Sequence, residues 1–255
     1  MEKWNALMAD ARYAALNVLN RLDREAKTLD RILLELPQED DYLSRRDRSL
    51  LNALVYGVLR WRGRLDHVIA HFSNAPLGRI QPIVLNILRL GLFQMIFLDR
   101  IPASAAVNTA VELTKKTRRS QAAGFVNALL RKAASNYADV PFATFQQDPL
   151  AYLTKAQSIP EWLAKRWLNR LPAETIITLS KSINTIPPIT LRTNTLKTNR
   201  ELLRRSLENQ VEQIATASFA PDGLCLRNPK QSIQHLTAFK KGWFQVQDEA
   251  AQLVS

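Results

Sequence analysis

This sequence predicts a mainly α protein, an all-helical bundle followed by a small α+β domain of the RRM or ferredoxin-like kind. Three observations predict it. Apolar residues recur at helical spacing through about the first 135 residues, with no strand-like alternation. After Tyr137 the composition changes, and Pro141, Pro149, Pro160, Pro172 and the pair Pro187–Pro188 cut the chain into short pieces. Beyond them the elements follow in the order β-α-β-β.

Ala11, Ala14, Ala15, Val18, Leu19 and Leu22 mark a first helix. Thr28 can cap a second one carrying Ile32, Leu33 and Leu36, which Pro37 stops, and the acidic-polar stretch 38–44 reads as a loop. A helix over 46–60 places Leu50, Leu51, Leu54, Val55 and Val58 on one face, and a shorter one follows over 65–72. The stretch 83–98 is apolar on nearly every side, so it belongs at the centre of the bundle. Its Gly91 suits close approach of a neighbouring helix. Ser104 and Ser120 are expected to cap helices running to about Lys116 and Ala134. Ser158 with Pro160 should open a helix whose Trp162 and Trp167 both pack. The run Ile189–Asn194 alternates as a strand, with Arg192 and Asn194 on one face. Thr198 and Glu201 have capping-box spacing at the start of a helix to about Asn209. Strands are expected at 211–215, 224–227 and 242–246, and Asp248 should cap a helix still running at Ser255. A chain ending in mid-helix reads as interrupted.

The charge narrows the function. There are 35 Lys+Arg against 23 Asp+Glu, a net charge of +12. Residues 1–140 contribute +7 and residues 141–255 contribute +5, so no single tail carries the excess. Such a balance is the electrostatic footprint of a nucleic-acid binder. One cysteine, Cys225, excludes an internal disulfide or a cysteine-rich zinc site and fits a reducing cytoplasm. His67 and His71 form an i, i+4 pair with no third ligand in the pattern, so no metal is expected. The 83–98 stretch contains Asn86, Arg89 and Gln94, too short and polar for a bilayer span, and the N-terminus has no signal-peptide core.

Long motifs then carry a family resemblance. They are SRRDRSLLNALVYGVLRWRGRLD at 44–66, ILRLGLFQMIFLDRIPASAAVNTAVELTKK at 87–116, GFVNALLRK at 124–132, PPITLRTNTLK at 187–197 and GWFQVQDEAAQLVS at 242–255. These resemble the bacterial Sun/Fmu-type (RsmB-type) 16S rRNA (cytosine-C5)-methyltransferases, whose helical part is similar to the antitermination factor NusB. The resemblance implies a NusB-like RNA-binding domain at 1–138 and a small α+β linker or RNA-binding domain at 139–238. Residues 239–255 would begin a Rossmann-like methyltransferase domain. It implies S-adenosylmethionine as cofactor of a full-length enzyme, 16S rRNA as partner, and a ribosomal protein as a further candidate partner of the helical domain. The family also uses a Gly-rich cofactor loop and two cysteines. Here the seven glycines stand too far apart for such a loop, and Cys225 sits in a strand between apolar neighbours. A fragment without catalytic or cofactor-binding residues, inactive by itself, is therefore expected.

Candidate RNA-binding residues follow from charge and position. Arg60, Arg62 and Arg64 can contact phosphates or simply form a solvated helix end; Trp61 can stack on a base but is read as a core residue. Lys115, Lys116, Arg118 and Arg119 form a cationic loop between two helices, and Arg131 and Lys132 close the next helix. Arg192 and Asn194 meet either RNA or a neighbouring domain. A freestanding NusB-like antitermination or RNA- and protein-binding factor is the alternative, and the segment after Pro187 argues against it.

Overall fold

The computed structural model describes residues 10–36 and 43–254. The predicted stop at Pro37, most of the 38–44 loop, and Ser255 lie outside the described residues. The chain divides into two compact units, Met1–Asn184 and Thr185–Ser255.

The first unit opens with α1 (Ala11–Arg24), capped by Asp10, and α2 (Leu29–Leu34), capped by Thr28 as its sequence suggests. α3 (Arg45–Arg60) starts on Ser44, whose hydroxyl accepts the Asp47 N–H. α4 (Arg62–Phe72) follows after a break at Trp61, so Arg62 to Arg64 are helical rather than a free end. α5 (Pro82–Phe97) has Pro82 in its first turn, where a missing N–H costs nothing. Every residue from Asn86 to Gln94 on α5 is buried, because α1, α3, α4, α6 (Ala103–Lys115) and α7 (Ala123–Asn136) surround it. A Cβ on Gly91 would lie 2.7 Å from Leu130 Cδ1 and 3.5 Å from Ala110 Cβ, the close approach expected there.

The core of this bundle contains a polar chain that hydropathy alone does not reveal. Arg89 donates from Nε and Nη2 to the Asp66 carboxylate at 2.7 and 2.8 Å, and from Nη1 to Asn86 Oδ1 at 2.8 Å. Asn86 Nδ2 then donates to Asn20 Oδ1 and Asp23 Oδ2. Asp23 Oδ1 accepts from Arg62 at 3.0 Å. Buried charge is tolerated here because each partner is satisfied. The chain ties α1, α4 and α5 together.

After α7 the chain continues through a helical turn at Pro149–Ala151, a π-type turn at Tyr152–Ala156, α8 (Glu161–Leu168) and α9 (Ala173–Ile183). Leu153, Ile159, Ala164 and Ile176 form a separate small core, against which Trp167 packs. Trp162 is 66% exposed, contrary to the packing role expected for it, because Ala164 takes the inward face of α8.

The second unit contains β1 (Ile189–Thr193), α10 (Arg200–Leu207), β2 (Val211–Thr216), β3 (Gly223–Pro229), the single turn α11 (Thr237–Lys240), β4 (Phe244–Val246) and α12 (Glu249–Val254). The sheet has the order β2-β3-β1-β4 and every pairing is antiparallel, which is ferredoxin-like topology. Leu191, Leu224, Leu226 and Phe244 share its core with Leu203 and Leu207 of α10. β4, read from the sequence as opening a further domain, pairs with β1 as an edge strand of this sheet.

Four expected caps are reassigned. α6 follows Pro102, so Ser104 lies inside it. Ser120 begins a 3₁₀ turn, and α7 starts only at Ala123. Ser158 adopts φ 58° and its hydroxyl accepts the Arg64 N–H at 2.8 Å, leaving Pro160 to open α8. Asn199 rather than Thr198 caps α10, accepting the Leu202 N–H at 2.9 Å. Of the four starts only that of α10 has a side-chain cap, from Asn199; α6, α7 and α8 begin without one. Among the described residues no helix is long and apolar enough to cross a membrane, and no group of His, Cys, Asp or Glu is arranged to hold a metal.

Candidate nucleic-acid interface

α1 buries Ala11, Ala14, Ala15 and Val18. Tyr13, Asn17, Asn20 and Arg24 recur at i, i+4, i+7 and i+11, and this stripe forms one wall of an open groove of about 440 Å³. Ile83 of α5 and the turn Lys116-Thr117-Arg118-Arg119 complete it. Among the described residues four cations line this groove and no carboxylate does.

The cationic turn is ordered by its own hydrogen bonds. α6 ends at Lys115, and the Lys116 N–H donates back to Glu112 and Thr114. The Thr117 hydroxyl donates to the Thr114 carbonyl at 2.7 Å and accepts the Arg119 N–H at 3.1 Å. Arg118 and Arg119 are thereby held exposed, and neither pairs with a carboxylate among the described residues. Lys116 reaches only to 4.0 Å from Asp10, and Lys115 is paired along its helix with Glu112 at 2.7 Å. The groove's Asn20 is fixed by Asn86, which also holds Asp23, the partner of Arg62. The buried polar chain thus runs out to the rim of the groove.

The Arg60–Arg64 cluster splits into three different environments. Arg60 is half-buried and makes no ion pair among the described residues. Arg62 is paired with Asp23. Arg64 is turned into the fold: Nε and Nη2 donate to Tyr137 Oη at 3.0 and 2.8 Å, and Nη1 donates to the Ala156 carbonyl at 3.2 Å. Its guanidinium stacks 4.4 Å from the Phe142 ring centroid. Trp61 stacks on Phe97 at 4.8 Å, a packing role. On α7, Arg131 is held by Asn127 and Lys132 lies over Phe72, both exposed.

In the second unit Arg192 stands opposite Gln245 and donates to Gln247 at 3.4 Å. Asn194 lies just past β1 and staples a turn, donating from Nδ2 to the Gly242 carbonyl at 2.9 Å and accepting the Leu196 N–H on Oδ1 at 3.2 Å. Its own N–H donates to the Trp243 carbonyl at 2.8 Å. Cys225, on β3, pairs with Thr190 of β1 and Ala215 of β2 and is half-buried.

The sequence reading named the 115–119 turn but not its opposite wall. The i, i+4, i+7, i+11 stripe of Tyr13, Asn17, Asn20 and Arg24 was the available signal; nothing in sequence shows that it faces the turn.

Two domain classes match this architecture. Residues 9–135 match the NusB family, and residues 159–234 match the Methyltr_RsmF/B-like, ferredoxin-like domain. The chain therefore carries a NusB domain joined to an RsmF/B-type ferredoxin-like domain. Over most of its length it is homologous to ribosomal RNA small subunit methyltransferase B proteins. It is 33% identical to the probable ribosomal RNA small subunit methyltransferase B of Bacillus subtilis (strain 168), over 94% of this chain and 53% of that protein. With the probable Synechocystis protein of the same name (strain ATCC 27184 / PCC 6803 / Kazusa) it shares 32%, over 97% of this chain and 55% of that protein. The crystal structure of PH0851 has the same fold with a TM-score of 0.63 and 21% identity, covering 96% of this chain and 53% of that one. The chain spans about half the length of these relatives.

Proposed function

We propose that this chain is the RNA-binding, substrate-recruiting region of an S-adenosylmethionine-dependent 16S rRNA (cytosine-C5)-methyltransferase working in the cytoplasm. The observation that carries this reading is the groove formed by Arg24, Lys116, Arg118 and Arg119 beside Tyr13, Asn17 and Asn20, with no carboxylate among its described lining residues. Cations fixed by a structured turn neutralise backbone phosphates at little ordering cost, and such contacts supply most of the affinity for RNA. Amide side chains and a tyrosine in the same groove suit an unpaired nucleotide better than a regular duplex. Arg60, Arg131 and Lys132 make no ion pair among the described residues and are further candidate phosphate contacts on this unit, whereas Arg62 and Lys115 are already paired with Asp23 and Glu112. On the ferredoxin-like unit Arg192 is a separate candidate contact, while Arg64 and Asn194 support the scaffold.

The residues present do not fit S-adenosylmethionine. Its binding in this class of enzyme wants a glycine-rich turn between a parallel strand and a helix, whereas every described pairing here is antiparallel. Methyl transfer is therefore assigned to sequence found in the other half of the relatives. The ferredoxin-like unit favours this reading over a freestanding antitermination factor.

The test is binding of the full chain to a labelled 16S rRNA helix-loop and to duplex DNA of equal length, across a salt series. Tight, RNA-preferring binding is expected. Arg118→Gln with Arg119→Gln should lower the slope of log K against log salt by roughly 1.5, two phosphate contacts' worth. An unchanged slope in that variant would refute the reading.

A further inference from the structure

A second groove lies wholly within the ferredoxin-like unit, about 500 Å³ in volume. It is lined by the end of β1, the turn Asn194–Lys197, Gly242 and the start of β4. Among the described residues its charged lining residues are Arg192 and Lys197, and no carboxylate lines it. We propose that this groove is a phosphodiester cradle for single-stranded RNA, with Lys197 as its anion-binding residue and Leu196 as an apolar rest for the adjoining ribose or base.

Three features support the assignment. First, Lys197 is held in place. Its ammonium donates to the Lys241 carbonyl at 3.3 Å, which uses one of its three donors. It lies where a side chain on residue 242 would otherwise sit, since a Cβ on Gly242 would be 2.8 Å from Nζ. Gly242 has φ +66°, so glycine both turns the chain and leaves room for the ammonium. Second, the turn is rigid. The Asn194 side chain bridges Gly242 and Leu196, and the Lys197 and Thr198 N–H groups both donate to the Asn194 carbonyl. A cation on a stapled turn loses little entropy on meeting a phosphate. Third, the same turn places Leu196 in solvent at 95% exposure beside the cations. An apolar side chain next to a cationic groove suits a ligand with alternating charged and flat surfaces, which describes a nucleic-acid strand. Among the described residues, the sheet face opposite Leu191, which carries Arg192, Thr190, Cys225, Gln213, Arg227 and Gln245, offers no aromatic platform. Backbone contact rather than base stacking is therefore the mode this unit supports.

The proposal rests on the RNA-recruitment reading and adds a contact in the second unit. It is tested by following the backbone amide resonances of Leu196, Lys197 and Gly242 in the full chain while a 12-nucleotide single-stranded RNA is added. A salt series on the same RNA runs in parallel with wild type, Lys197→Gln, Lys197→Arg and the Arg118→Gln/Arg119→Gln pair. The wild-type resonances should move. Lys197→Gln should abolish that movement and lower the salt slope by about 0.7, the loss of one single-strand phosphate contact. Lys197→Arg should restore both. Stationary resonances and an unchanged Lys197→Gln slope, in a wild type that still binds through Arg118 and Arg119, overturn the cradle and leave the recruitment reading intact. Absence of any RNA binding by wild type overturns both. Equal movement with a poly-glutamate peptide overturns the RNA assignment in favour of an acidic protein partner.

Discussion

Arg64→Ala distinguishes a phosphate contact from a structural tie. The guanidinium makes three hydrogen bonds to neutral acceptors, two to Tyr137 and one to Ala156, and stacks on Phe142. Charge-assisted hydrogen bonds contribute at least about 1.5 kcal/mol each, and a half-exposed cation–π contact about 0.5 kcal/mol. Fixing the arginine side chain costs about 2 kcal/mol of rotamer entropy. The net is about 3 kcal/mol, concentrated where α4 meets the 137–158 segment. For a unit of 184 residues that corresponds to a melting point lower by roughly 6–12 °C. Circular dichroism melts of wild type and variant measure the shift, and hydrogen exchange at Tyr152 to Ala156 locates it. RNA affinity and salt slope, taken well below the melt, should not change. A variant that melts with wild type but loses a phosphate's worth of salt slope would refute the structural reading and return Arg64 to the binding surface.

Gly63→Ala should destabilise the same junction by about 1–3 kcal/mol, because its Cβ would lie 2.3 Å from the Thr154 carbonyl oxygen, a backbone atom with little room to yield; urea unfolding reads this, and a neutral result would mean that the π-type turn shifts freely. Arg89→Ala leaves Asp66 and Asn86 without their partner and should cost about 3 kcal/mol, the lower end for a buried pair since Asp66 retains 24% side-chain exposure. Exchange of α5 amides should accelerate roughly 100-fold in that variant, and an unchanged rate would remove the polar chain from the account of stability. Arg21, and secondarily Lys27, hold the Glu25 carboxyl down to about 2 from 4.5. A depressed carboxylate pKa contributes stability above the unfolded value that is lost as pH falls through the folded one. The melting-point gap between wild type and Glu25→Gln should therefore be full above pH 4.5 and close towards pH 2; a gap independent of pH contradicts this assignment.

Much of the fold was legible because its signals are local. Helical spacing over 11–22 and 46–60, the nearly all-apolar 83–98 stretch and the alternation at 189–194 depend on one element meeting one apolar environment, so a single chain reveals them. Caps were less legible. Ser104, Ser120, Ser158 and Thr198 have the right chemistry, but Pro102, the Ser120–Ala122 turn, the Arg64 N–H and Asn199 took their places. A helix can begin at any of several positions a few residues apart, with or without a side-chain cap, and propensity does not rank them.

What the sequence determined by itself was the charge of the molecule, the order of its elements, the central place of α5 and the cationic turn at 115–119. Only the tertiary structure decided which cations remain available. Arg64 and Arg62 look alike along the chain, yet one is enclosed by Tyr137, Ala156 and Phe142 and the other meets Asp23. It also decided that Tyr13, Asn17, Asn20 and Arg24 stand across a groove from Arg118 and Arg119, and that Gly242 makes room for Lys197. These pairs are separated by some 45 to 100 residues in sequence. Periodicity reports which face of an element is apolar; which distant polar face it meets is set by packing.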